Sequence, residues 1–347
     1  MGLSRLGVSA ALFGAVAGVA LSAPAFAGPV VVTDIGPVQA LAARVMQGVG
    51  EPTQILPPGA SPHGYAMRPS EAASLADADV VFWVGPELTP WLDRAIDTLA
   101  TKAEAVELLE APGTVHLAFR EGATFEAHHH DEDGHEAHAE GEPEGHAEEG
   151  HAHEHAAEAG GHDHDDDHDA AHGHDHHGID PHAWLDPENG KAWLAAMADE
   201  LANADPANAE TYRRNAAEGQ SELDALTIKL EAKLAPVRGA PFVVFHDAYH
   251  YFENRFDIEA AGAVSLSDAS KPGPARVEEV RNTIRKLDAV CVFTEPQFKP
   301  TLVATIVEGT DARVATLDPL GINLEPGAAL YPALLTQLAD NLVACLH

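Results

Sequence analysis

The sequence predicts an α/β protein of two lobes, each built on a parallel sheet, joined by one long helix. Three observations predict it. Short apolar runs rich in Val and Phe alternate with stretches of helical period in both halves of the chain, the pattern of strands connected by crossover helices. Between the two groups, residues 207–234 carry Leu223, Leu226, Leu230 and Leu234 at helical spacing and no proline. The chain has 347 residues, long enough for two domains with cores of their own.

The elements follow in order. Val30-Val31-Val32 is an apolar strand ending at Thr33-Asp34, and a helix starts at Pro37. Pro69-Ser70 opens an amphipathic helix that runs to about residue 78. Val80-Val81-Phe82-Trp83-Val84 is a buried strand, ended by Gly85-Pro86. A helix over 88–100 carries Pro90 in its first turn, where the missing N–H has no intrahelical partner to lose. Residues 104–109 read as a short strand. Helices over 187–204 and 207–234 follow, the second with Asp205 as N-cap and Pro206 at its first helical position. At about 1.5 Å per residue the second helix is roughly 40 Å long. The second α/β group is a strand at Phe242-Val243-Val244-Phe245, a strand over 258–264 and a proline-opened helix over 273–287. Ala289-Val290-Cys291-Val292-Phe293 is the next strand, then a strand over 313–317 and a terminal helix over 331–346.

The N-terminus reads as a secretory signal. Arg5 precedes an apolar run over 8–21, and Ala25-Phe26-Ala27 supplies a small-x-small cleavage pattern after Ala27. The run is short for a transmembrane helix, and no later stretch of about 18 apolar residues follows. In an exported chain the two cysteines, Cys291 and Cys345, read as one disulfide, with two buried free thiols as the alternative. Closing a loop of that length stabilises by about 4 kcal/mol on the chain-entropy model.

The formal net charge is -35. Much of it lies in the tract 128–177, which holds 17 carboxylates and 16 of the 22 histidines, with no Lys or Arg between Arg120 and Lys191. This acidity argues against nucleic acid and anionic membranes as partners. The tract opens as His128-His129-His130-Asp131-Glu132-Asp133 and closes as His172-Gly173-His174-Asp175-His176-His177. Neutral imidazole suits borderline transition metals and carboxylates add oxygen donors, so the tract reads as a multi-site metal collector. A solvated spacer is the alternative. With no periodic apolar pattern, it is predicted to be disordered without metal.

Outside the tract stand His63, His116, His182, His246, His250 and His347. His63 lies in Gly59-Ala60-Ser61-Pro62-His63-Gly64-Tyr65, a turn-rich loop before a helix. His182 lies in Asp180-Pro181-His182-Ala183-Trp184-Leu185-Asp186-Pro187, again before a helix. His246 ends the strand that starts at Phe242. In open parallel sheets ligands bind beyond the carboxyl ends of the strands. Three histidines converging there would make a nitrogen-rich Zn²⁺ site. His250 follows His246 by four residues, so on a helix the two would share a face; it reads as an auxiliary ligand or a surface residue. His116, after Pro112-Gly113 on the approach to the tract, reads as a minor metal candidate and the terminal His347 as solvent-facing.

The ordered motifs Pro57-Pro58-Gly59-Ala60-Ser61-Pro62-His63-Gly64-Tyr65, Arg68-Pro69-Ser70, Asp180-Pro181-His182-Ala183-Trp184-Leu185-Asp186-Pro187, Phe245-His246-Asp247-Ala248-Tyr249 and Thr316-Leu317-Asp318-Pro319-Leu320-Gly321 resemble the zinc-binding subunit of bacterial ABC-type zinc importers. That is the ZnuA-like branch of the metal-specific periplasmic solute-binding proteins. The resemblance covers essentially the whole chain after the signal. It implies two (β/α)4 lobes bridged by a rigid helix, with a metal cleft between them. On that pattern residues 1–27 are the signal peptide and 28–205 the first lobe, holding the His-rich loop at about 121–178. Residues 206–236 are the linking helix and 237–347 the second lobe. His63, His182 and His246 fall on the family's three histidine positions, and Asp318 on a position where it places an acidic group. The fourth ligand is then Asp318 or water. Pro62 stands where some relatives carry a Glu ligand. Cys291 and Cys345 match a disulfide of zinc members.

The resemblance implies a monomeric periplasmic protein, not an enzyme, that captures Zn²⁺ and delivers it to an ABC-type permease in the inner membrane. The tract, including its end histidines His128, His129, His130, His172, His174, His176 and His177, would collect or sense zinc. Binding needs deprotonated imidazole, so affinity should fall as pH drops through about 6.5. Two rivals stand beside this reading. One is an exported zinc hydrolase, against which the chain has no HExxH helix. The other is a periplasmic zinc buffer or chaperone without a transporter.

Overall fold

The structure, a computed structural model, describes residues 2, 28–120, 125, 178–265, 273–298 and 300–347. The signal segment and the His-rich tract lie outside the described residues.

The chain runs β1 (Val31–Thr33), α1 (Gly36–Val45), β2 (Thr53–Gln54), α2 (Pro69–Ala76), β3 (Val80–Trp83), α3 (Pro90–Leu99), β4 (Glu104–Glu107), α4 (Pro187–Ala204) and α5 (Ala209–Leu234). It continues with β5 (Phe242–His246), α6 (His250–Phe256), β6 (Gly262–Ser265), α7 (Pro274–Leu287), β7 (Cys291–Thr294), α8 (Pro300–Val307), β8 (Arg313–Thr316) and α9 (Leu330–Leu346). The strands form two four-stranded sheets, ordered β2-β1-β3-β4 and β6-β5-β7-β8. Every neighbouring pair is parallel. The α/β expectation with two parallel sheets and a long joining helix therefore holds.

Strand alternation explains the layers. In β3, Val80 and Phe82 face one side with Val31 of β1, while Val81 and Trp83 face the other with Leu75 of α2 and Leu92 and Ile96 of α3. In β5, Phe242 and Val244 face inward with Cys291 and Phe293 of β7, while Val243 and Phe245 pack outward on Val280 and Ile284 of α7. Both inner faces join one continuous buried cluster that includes α1, α4, α5, α6 and α9. α5 lies along α4 and α1 and also reaches α6 and α9. α9, last in sequence, packs on α1 across the molecule. Cys291 on β7 is disulfide-bonded to Cys345 on α9, tying the second sheet to that shared helical layer.

Several details differ from the sequence expectation. β2 has two residues and α6 seven, too short for periodicity to reveal; α8 was also not anticipated. The strand expected over 258–264 is Gly262–Ser265. Asp257, left-handed at φ 53°, closes α6, so the buried Ile258 belongs to the connection. The long helix opens with a 3-10 turn at Pro206–Asn208. Asp205 there accepts from the Asn208 side-chain amide at 2.7 Å and the Tyr212 hydroxyl at 2.9 Å.

Each sheet reverses its winding direction between two central strands, β1/β3 and β5/β7. At the first such point Asp34, fully buried, accepts from the Ile35 amide at 2.7 Å and the Val84 amide at 2.8 Å. Its carboxyl thus locks the two strand ends together. Burial pushes its pKa up to about 7, against the lowering pull of those amides. A second, half-buried group ties the two halves of the chain. Arg120 donates to both Asp247 oxygens from Nε at 3.1 Å and to Glu253 from a terminal nitrogen at 2.6 Å, and it lies 3.8 Å over the Phe125 ring.

A carboxyl held at about 7 when folded adds stability below its unfolded value near 3.9, and that contribution is lost as pH rises through about 7. Chemical denaturation of the protein and Asp34→Asn should therefore show the variant gaining relative to the parent between about pH 4 and 7. Parallel stability profiles would contradict it. Arg120→Ala leaves Asp247 and Glu253, each 3% exposed, without their cation. The expected loss is about 3–5 kcal/mol in the same assay.

Candidate metal centre

The centre is assembled from the carboxyl ends of the strands. His63 lies in the loop from β2 to α2. Gly59 (φ 82°) supplies a left-handed turn in that loop. The loop is held on both sides of His63. The Trp91 indole donates to the Pro62 carbonyl at 2.7 Å, and the Tyr65 hydroxyl donates to Glu71 at 2.9 Å. His182 follows β4 and the tract, just before a 3-10 turn at Ala183–Leu185 that leads into α4. His246 is the last residue of β5.

These elements bring His63, His182 and His246 together, with one ligand nitrogen from each lying within 4.8 Å of the others. His182 and His246 are each 3% exposed and His63 is half-buried. The Nε2 atoms of His182 and His246 are 3.3 Å apart. Zn–N bonds of about 2.0–2.1 Å at the tetrahedral angle separate two ligand nitrogens by roughly 3.3 Å. The spacing fits a shared ion.

Each buried imidazole has a carboxylate behind it. His182 Nδ1 is 2.7 Å from Asp180 Oδ1, which also accepts from the His182 backbone amide at 3.0 Å. His246 Nδ1 is 2.6 Å from Glu295 Oε1. A proton on Nδ1 shared with the carboxylate leaves the Nε2 lone pair directed at the centre. Glu295 directly follows β7, the strand beside β5, so the winding reversal of the second sheet places acid and imidazole side by side. Asp180 and Glu295 are each 1% exposed. Burial raises the Asp180 pKa to about 7, opposed first by the His182 amide. Burial, then the charge of Glu295, keeps the Tyr249 hydroxyl protonated far above its ordinary range.

Asp318 follows β8 but does not enter the trio. Its Oδ1 accepts from the Leu320 and Gly321 amides at 3.2 and 2.9 Å, and its Oδ2 from the Ile322 amide at 2.8 Å. It builds the turn at 318–322. Burial raises its pKa and those amides pull it back. His250 does not share a helical face with His246, because one opens α6 and the other ends β5. It lines a separate cavity with Arg120, Glu253 and Asn254. Its Nδ1 lies 3.8 Å from Asp180 Oδ2, and burial, then Arg120, lowers its pKa. His116 Nε2 meets the Leu109 carbonyl at 2.7 Å, a structural contact. His347 is exposed. The tract histidines 128, 129, 130, 172, 174, 176 and 177 lie outside the described residues.

Sequence reasoning did not single out Glu295 or the role of Asp180. The available signal was position: Glu295 stands directly after a buried strand, where a ligand site opens.

Comparison with known proteins places these features in a family. The profile described as "Zinc-uptake complex component A periplasmic" matches residues 31–345. The high-affinity zinc uptake system protein ZnuA of Paracoccus denitrificans is 47% identical over 319 residues, 92% of each chain. That of Brucella abortus is 46% identical over 316 residues, 91% of each chain. Among solved structures, a crystal structure of ZnuA overlays with TM-score 0.68 at 19% identity, covering 92% of this chain and 100% of that one. A zinc-bound ZnuA deletion mutant lacking 138–173 of its own chain gives 0.67 at 20% identity, covering 92% and 98%. At such identities the overlays establish the fold.

An imidazole ligates only after losing its proton, so zinc affinity of the chain should fall steeply from about pH 7 to about pH 5. Chelator-competed titrations across that range measure it, and a flat profile would argue against a histidine-built site.

Proposed function

The chain belongs to the ZnuA family of periplasmic zinc-uptake components, and from that premise we propose that it captures Zn²⁺ through His63, His182 and His246. The protein works in the periplasm after export and hands its ion to an ABC-type permease for zinc uptake. The observation that carries the reading is the convergence of three imidazoles from two loops and one strand end, with ligand atoms within 4.8 Å. The export signal at residues 1–27 supports the location. Among the described residues no helix is long and apolar enough to cross a membrane.

The donor set favours zinc. Three neutral nitrogens suit a borderline ion, while manganese sits low in the affinity order and prefers oxygen. The fourth position falls to a solvent oxygen or to Asp318; Asp318 lies outside the trio, and the three backbone amides it accepts hold it in its own turn, which favours the solvent oxygen. Asp318 then acts by shaping the rim of the cleft. Zinc is cargo in this reading and the protein is not an enzyme. The two carboxylates behind the imidazoles are engaged with ring nitrogens, so neither is placed as a base toward a substrate.

The His-rich tract collects or senses zinc near the cleft. Its C-terminal end returns to the fold at Gly178, four residues before His182. A tethered donor works at raised effective concentration. The protein acts as a monomer, with residues 28–205 and 237–347 as lobes around the helix of 206–236.

Zinc calorimetry on the mature chain, on a form lacking 128–177, and on that form with His63→Ala, His182→Ala and His246→Ala tests the assignment. One tight site should survive tract removal and vanish in the triple variant. Tight binding that leaves with the tract would favour a zinc buffer instead. Deletion of the gene should slow growth in zinc-poor medium, with recovery on added zinc.

A further inference from the structure

We propose that Trp91 is a positioning residue for the cargo ion: its indole N–H sets His63 in place before the ion arrives, and thereby sets how tightly the cleft holds it. The inference rests on the histidine site proposed above and adds a group outside the three ligands. His182 adjoins a 3-10 turn and His246 ends β5, and each is 3% exposed. His63 is half-buried and stands in the connection between β2, which ends at Gln54, and α2, which starts at Pro69. Of the three ligands it is the one farthest from regular structure. Ordering such a connection costs conformational entropy, and whatever ordering is left until the ion binds is subtracted from affinity.

The structure shows a device that does this ordering in advance. Trp91 lies in the first turn of α3, and its ring packs against both apolar clusters that flank the first sheet. It is therefore a fixed point of the first lobe. Its Nε1 donates to the carbonyl of Pro62, the residue before His63, at 2.7 Å. The proline ring fixes φ at Pro62, and a carbonyl held in one direction fixes ψ. The peptide is planar, so the same bond aims the N–Cα bond of His63. Beyond His63, the Tyr65 ring meets Trp91 edge to face, with centroids 5.4 Å apart at 65°. The Tyr65 hydroxyl in turn donates to Glu71 of α2 at 2.9 Å. Trp91 thus holds the chain on both sides of His63, by a hydrogen bond before it and a ring contact after it.

Trp91→Phe keeps an aromatic ring and removes the N–H. The probe is Co²⁺ at buffered free concentrations on the full chain. Tetrahedral Co²⁺ absorbs strongly in the visible, and the His63→Ala, His182→Ala, His246→Ala chain gives the tract's own absorption to subtract. Half-saturation of the cleft band should move to about 3–10-fold higher free Co²⁺, the worth of one partly buried hydrogen bond. The band at saturation should keep its shape, because the N–H prepares the bound geometry and does not define it. Leu92→Val is the control. It loosens the fully buried core side of the same helix without touching the loop, and should leave half-saturation in place.

Unmoved half-saturation in Trp91→Phe would overturn the proposal. So would an altered band at saturation, or a shift in Leu92→Val as large as that in Trp91→Phe, which would mark a general loosening of the lobe. If Trp91→Phe shows no cooperative unfolding transition, the sulfur isostere benzothienylalanine at position 91 decides by the same criteria, since it fills the indole's place without an N–H. A cleft band that persists undiminished in the triple-histidine chain would instead overturn the underlying site.

Discussion

The segment 180–186 belongs to the first half by chain order but to the second lobe by its hydrogen bonds. The Tyr251 hydroxyl donates to the Asp180 carbonyl at 2.9 Å, and Arg255 grips Asp186 with two bonds of 2.7 and 2.8 Å. Tyr251 and Arg255 are four apart on α6 and therefore share its face. The Tyr331 hydroxyl on α9 donates to the Trp184 carbonyl at 2.7 Å, and the Trp184 indole donates to the Pro319 carbonyl at 2.7 Å. Gly190 permits this fit, because a Cβ there would lie 2.4 Å from the Tyr331 hydroxyl. Asp186 also caps α4 by accepting from the Glu188 amide at 2.8 Å. His182 sits in the middle of these ties. The position of His182 is thus fixed by the second half of the chain and by the start of α4, the helix that leads into α5.

The two sheets solve the same topological problem in different ways. Each has a point where the winding reverses and two neighbouring strand ends diverge. In the first sheet a buried carboxylate, Asp34, fills that point by accepting two backbone amides. In the second sheet the corresponding place holds an imidazole, His246, with a carboxylate from the next strand behind it. One reversal is closed by the backbone's own donors and is structural. The other leaves His246 Nε2 turned toward a second imidazole, 3.3 Å from His182 Nε2.

Much of this was legible in the sequence, for stated reasons. Runs such as Val80-Val81-Phe82-Trp83 mark strands buried on both faces, and the structure puts alternate residues of that run into two different apolar clusters. His63, His182 and His246 were legible because each follows a strand or opens a helix, where parallel sheets leave room. What was not legible depends on distance along the chain. Glu295 lies 49 residues from His246, and Arg120 lies 127 and 133 residues from its two acids. No local pattern encodes such pairs. The shortest elements, β2 and α6, escaped because a period needs more residues than they contain. Asp318 is a mixed case. Its position in the motif marks an acid near the site, but no local pattern announces the three amides it accepts in the turn that follows.

The two ends of the His-rich insertion meet in the fold. Ala118 and Ile179 form an antiparallel bridge, the Phe119 amide donates to the Gly178 carbonyl at 3.3 Å, and the Asp180 amide donates to the Leu117 carbonyl at 2.8 Å. Two neighbouring points stay neighbours whatever chain is strung between them, and doubling that chain shifts the entropy of closure by only about 0.6 kcal/mol. The insertion's length and histidine number are therefore nearly decoupled from the geometry of His182. The tract can change in length and composition at little cost to the place where His182 sits.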